Sequence, residues 1–120
     1  MFDWEDFLKL AEQMSGASNE AAQRTAISRA YYAVYHAASS YIRRMQLITP
    51  GRPLSHREVW RVLKLSTNLD HRDTGFRGED LKRLRQEADY RSPYSGDIAT
   101  DARETVAEAR ALIADISRLP

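Results

Sequence analysis

No cysteine occurs among the 120 residues, which excludes disulfide stapling, thiol catalysis and thiolate zinc sites and fits a reducing compartment. Glycine and proline are scarce, five and four residues, so few points along the chain can break a helix. The β-branched residues are scattered rather than alternating, and no strand pattern emerges. No apolar run approaches the length of a membrane span. The start, MFDWEDFLKL, is acidic and lacks both a basic segment and a long apolar stretch, unlike a secretory signal. A cytoplasmic protein without a membrane segment is the expectation.

What is present favours helix. At this length one domain with a single core is expected, spanning residues 1–120. The longest uninterrupted stretch runs from residue 19 to 46 without glycine or proline, roughly 40 Å as one helix. At 100° per residue, Ile27, Tyr31, Val34, Ala38, Tyr41, Ile42 and Met45 gather on one face, a core face. Thr25, Arg29, Tyr32, His36, Ser40 and Arg43 gather opposite, polar but with Arg, Tyr and His in register. Dimerisation would use that second face, so a homodimer is expected.

The other elements follow from caps and breakers. Asp3 is placed to cap a first helix that Ser15-Gly16 ends, and Ser18 or Asn19 caps the long one. Thr49-Pro50-Gly51-Arg52-Pro53 interrupts the chain. Ser55-His56-Arg57-Glu58 is a capping box opening a third helix with Val59, Trp60, Val62, Leu63 and Leu65 inward. Asn68 to Gly78 reads as a polar loop anchored by Phe76, and Glu79 to Tyr90 as a fourth helix. Asp97 caps a fifth, with Ile98, Ala102, Val106, Ala109, Ile113 and Ile116 as its stripe. The sum is an all-α, up-and-down bundle of about five helices.

Charge is unevenly spread. Residues 43–91 hold 12 Lys and Arg against 7 Asp and Glu, and the remainder 6 against 10. Arg43, Arg44, Arg57, Arg61 and Arg85 are the candidates for contact with RNA phosphates, the alternative being a solvated surface. Three histidines without cysteine and without a His-x-x-x-His pair make no metal site. His56 is expected to be exposed beside its cap, and His71 lies in the polar loop. No glycine-rich phosphate loop and no Gly-x-Ser-x-Gly elbow occurs, so no cofactor is expected.

Ile27-Ser28-Arg29-Ala30-Tyr31-Tyr32-Ala33-Val34-Tyr35-His36-Ala37-Ala38 resembles the second-helix signature of HEPN-domain proteins. Leu84-Arg85-Gln86-Glu87-Ala88-Asp89-Tyr90 resembles a segment that small prokaryotic members carry in a late helix. The resemblance covers roughly residues 3 to 118. It implies a helical bundle that usually dimerises. Many relatives are metal-independent ribonucleases of toxin–antitoxin or defence systems, and others are non-catalytic, nucleotide- or protein-binding partners of small nucleotidyltransferases. An RNA-directed domain is therefore expected, with a cognate antitoxin or a nucleotidyltransferase as possible partner. Catalytic relatives use Arg, four to six residues, then His, the Arg for phosphate charge and the His for proton transfer. In the late-helix position this chain reads Arg83, four residues, Ala88, Asp89, Tyr90, so Arg and Tyr match and Ala stands in place of His. Arg29 and His36 repeat the spacing on the second helix, about 20° apart around it. The catalytic candidates are thus Arg29, His36, Arg83 and Tyr90. The competing expectation is structural: Arg29 pairs with Asp89, while Tyr32 and His36 fill a helix–helix seam.

Overall fold

The computed structural model describes residues 1–120 as five α-helices without a strand: α1 Glu5–Ser15, α2 Glu20–Arg44, α3 His56–Lys64, α4 Leu69–Tyr90 and α5 Ile98–Ser117. Short polar side chains set most of the starts, at the positions expected of them. Asn19 Oδ1 accepts the Ala22 amide at 2.8 Å, Ser55 Oγ the Glu58 amide at 3.1 Å, and Asp97 Oδ1 the Thr100 amide at 3.2 Å. Each satisfies one of the amides that a helix leaves unpaired at its start. Asp3 Oδ1 takes the Glu5 amide at 2.9 Å. The capping box is half made, since the Glu58 carboxylate turns to Arg52 Nε at 3.6 Å. Gln46, with φ +54°, makes the left-handed turn that closes α2 just before the expected boundary.

The main departure lies at Asn68. Where a loop was expected to begin, its carboxamide caps a helix, accepting the amides of Asp70 at 2.8 Å and His71 at 3.1 Å. α4 then runs unbroken through Gly75 and Gly78. These glycines serve packing rather than turning. A Cβ at Gly75 would meet the Lys64 amide nitrogen at 2.8 Å, so α3 crosses α4 at a distance only glycine allows. Phe76, the expected anchor, is instead exposed.

α2 is the central helix, with α1, α4 and α5 packed around it and α3 laid against α4. Ile27, Tyr31, Val34, Ala38, Tyr41 and Ile42 are buried, as the 100° pattern requires, and Trp60 and Leu112 fill the space between helices. Each fully buried aliphatic contributes about 1.5–3 kcal/mol. Met45 and Leu65 were expected inside and are exposed, because each follows the last full turn of its helix. No helix is long and apolar enough to cross a membrane.

Candidate functional site

The second face of α2 is not free. α1 and the residues before it lie across it, so that Arg29 packs its guanidinium 4.8 Å from the Phe7 ring centre and 4.6 Å from that of Tyr32. His36 stacks on Trp4 with ring centres 3.5 Å apart and planes 10° from parallel. Burial there lowers the His36 pKa from its ordinary value, which keeps the ring neutral at pH 7. Arg29 and His36 therefore share a face, but each is held by a different aromatic ring, and no bond joins them. Tyr32 lies between α2 and α4, against Arg85, whereas His36 is covered by Trp4, which precedes α1.

The Arg29–Asp89 pair does not form. Arg29 Nη2 donates to Ser28 Oγ at 3.2 Å, while Asp89 Oδ2 accepts from Ser28 Oγ at 3.3 Å and lies 3.7 Å from Arg85 Nη1. Asp89 is held by an arginine from its own helix, one turn earlier, because the i, i+4 spacing needs no long-range ordering. Arg85, expected as a surface contact for RNA, is only 7% exposed. Its guanidinium sits 5.3 Å from the Tyr31 ring centre and 5.6 Å from that of Tyr32, and its buried Nε has no hydrogen-bond partner.

Beside Arg85 lies His56. Expected to be exposed, it is half-buried at the first position of α3. Its Nδ1 stands 2.7 Å from the Tyr31 hydroxyl, and its ring stacks on Tyr35 at 3.9 Å. Trp60 Nε1 donates to the same Tyr31 oxygen at 3.1 Å. An indole nitrogen can only donate. The Tyr31 hydroxyl is fully buried and has no partner besides Trp60 and His56, so its own proton has only His56 Nδ1 to go to, the tautomer that carries the imidazole proton on Nε2. Burial, then the charges of Arg85 and Lys82, push the His56 pKa down to about 4, so the ring is neutral near pH 7. Burial also pushes the Tyr31 hydroxyl pKa up. His56 and Trp60 stand four residues apart on one face of α3. That spacing was the signal in the sequence that both could meet one partner.

The late-helix candidates point elsewhere. Arg83 and Tyr90 are exposed on the outer side of α4, where Arg83 reaches Asp80 at 3.7 Å and both border a shallow hollow with Gln86, Glu87 and Arg91. Ala88, five residues after Arg83 and about 140° round the helix, is buried towards the core. The remaining candidates for RNA contact, Arg43, Arg44, Arg57 and Arg61, are exposed. Arg43 Nη1 donates to the Arg52 carbonyl at 3.2 Å, and Arg52 and Arg61 border one hollow over Ile48 and Val62. Arg57 follows on the same side of α3, one turn before Arg61. Arg44 turns away onto the Tyr41 ring at 5.6 Å.

His71 is buried and bonded on both nitrogens, Nε2 to the Tyr41 hydroxyl at 2.8 Å and Nδ1 to Ser66 Oγ at 2.9 Å. No three His, Asp or Glu side chains converge as metal ligands. No protein-family model, no curated protein and no solved structure matches the chain.

Proposed function

We propose that this chain is a HEPN-like domain that binds RNA and does not cut it. The observation that carries the choice is the state of its imidazoles. His36 is stacked on Trp4, His56 accepts the Tyr31 proton, and His71 is bonded on both nitrogens. A general base needs a nitrogen lone pair facing the 2′-hydroxyl with a cation at the phosphate. His56 and His71 spend ring nitrogens on Tyr31, Tyr41 and Ser66. His36, whose in-plane nitrogens are unbonded, lacks that cation because Arg29 is held on the rings of Phe7 and Tyr32. Arg83 and Tyr90 have no imidazole between them.

Binding asks for less. Arg43, Arg52, Arg57 and Arg61 border one side of the α2–α3 junction, and of these only Arg52 faces a carboxylate, Glu58. Exposed guanidinium groups so placed neutralise backbone phosphates and release counterions. The non-catalytic role that the resemblance implies beside a nucleotidyltransferase is compatible with this reading.

Anisotropy of a labelled single-stranded RNA tests it. Binding should weaken with salt, and Arg57→Ala with Arg61→Ala should lower the slope of log affinity against log salt by about 0.7 for each phosphate no longer neutralised. RNA incubated with the protein in EDTA should stay intact. Products ending in 2′,3′-cyclic phosphate, abolished in His36→Ala or His56→Ala, would restore the nuclease. Absence of binding at low salt would remove the RNA reading altogether.

A further inference from the structure

Arg85 is the one arginine buried in the molecule, and its Nε bonds to nothing. It is only 7% exposed, it makes no hydrogen bond, and its nearest carboxylate, Asp89, stands 3.7 Å away and already accepts from Ser28. Of a guanidinium's five N–H donors, the one on Nε is buried here without an acceptor, and that is costly. Contact with the Tyr31 and Tyr32 rings offsets only part of that cost.

Two further donors face the same place. His56 holds Nδ1 against Tyr31, which leaves Nε2–H without a protein partner. Lys82, three residues before Arg85 on α4, makes no ion pair within the chain and is near enough for its charge, with that of Arg85, to act on the His56 ring. His56 also opens α3, whose first amides form the positive end of a nine-residue helix. Arg85 and His56 thus meet at the Tyr31 ring from two elements, with Lys82 one turn before Arg85 on α4 and one partly engaged carboxylate, Asp89, beside them.

We propose that His56, Lys82 and Arg85 form a binding site for the phosphate group of a phosphorylated ligand. A phosphate has several oxygens at tetrahedral angles. It can therefore take donors arriving from α3 and α4 together, and its negative charge answers both cations. The site uses none of the arginines at the α2–α3 junction, so it stands or falls apart from the RNA reading.

Nuclear magnetic resonance of the ¹⁵N-labelled histidine rings at constant ionic strength tests the site. Inorganic phosphate, a nucleoside 5′-monophosphate and a short single-stranded RNA serve as separate probes. The expected result is a saturable shift of the His56 signals, with the His56 titration midpoint moving up from about 4, because bound phosphate opposes the two cations. Lys82→Ala should weaken the response about fivefold or more, and Arg85→Met should abolish it. The Lys82 variant keeps the test decisive if the Arg85 variant does not fold. Saturation by phosphate and monophosphate alone assigns the site to a terminal phosphate, and saturation by RNA alone to a phosphodiester. Either supports it. Signals of His56 that stay still with all three probes, or that move equally in Lys82→Ala, overturn the proposal even where anisotropy shows RNA bound.

Discussion

Gly78 of α4 lies against the indole of Trp60 on α3, so closely that a methyl group at Gly78 would stand 2.2 Å from Trp60 Cζ3. Trp60 is almost fully buried and anchored through its Nε1 to Tyr31. The ring cannot move aside without disturbing the bond network that also orients His56. Gly78 is therefore part of how the candidate site is built.

Gly78→Ala sets two effects against each other. Alanine favours the helix by about 1 kcal/mol, but the methyl overpacks a buried ring, which costs about 1–3 kcal/mol. With so close an approach the second effect wins. Urea melts should show a lower midpoint for the variant. An equal or higher midpoint would mean that the two helices separate freely at this point.

Arg24 ties the end of α4 to α2. Its Nη1 lies 2.9 Å from the Ala88 carbonyl and 2.7 Å from that of Arg91, carbonyls of the last turn and C-cap that have no helical partner. Arg24→Ala should lower stability by about 1.5–3 kcal/mol, the range for a hydrogen bond to a charged group. Arg24→Lys should recover only part, since an ammonium lacks the planar fork. Full recovery by lysine would reduce the contact to simple charge.

Arg85→Met offers a contrast. Arg85 bears the cost of burial with its Nε unbonded, while its ion-pair partner Asp89, 3.7 Å away, is exposed and keeps Ser28 as a donor when the guanidinium is gone. The denaturation midpoint should hold or rise, while the phosphate response of His56 disappears. A fall of more than about 2 kcal/mol, towards the cost expected for breaking a working buried pair, would mark Arg85 as a structural ion-pair partner of Asp89.

Acid should expose the state of His56. Its pKa is depressed in the folded chain to about 4, against an ordinary 6.5. Between those values the unfolded chain binds the additional proton, so stability is fully present above pH 6.5 and is lost as pH falls towards 4. His36, also depressed, adds in the same direction. His56→Gln keeps an acceptor for Tyr31 but does not titrate, and it should flatten that part of the stability curve. An unchanged slope in the variant would show that His56 is as well solvated folded as unfolded.

Local chemistry was enough for much of the architecture. Asn19, Ser55 and Asp97 announce helix starts because a short side-chain oxygen can reach an amide two or three residues on, whatever lies further away. The 100° pattern of Ile27, Tyr31, Val34, Ala38, Tyr41 and Ile42 requires a buried face in any fold that dries it. Gly75 and Gly78 mislead for an equally physical reason. A glycine that permits a turn and one that permits close helix approach look alike in sequence, and only the position of Trp60 and Lys64 tells them apart. The same holds for Arg85 and His56. Residue type announces a cation and an imidazole, but which is buried, which nitrogen carries the proton and which carboxylate stands near are set by helices far apart in the chain. Sequence alone thus determined the five-helix composition and the core face of α2. Tertiary packing decided where its charges went, because desolvation and hydrogen bonding depend on neighbours that local spacing does not specify.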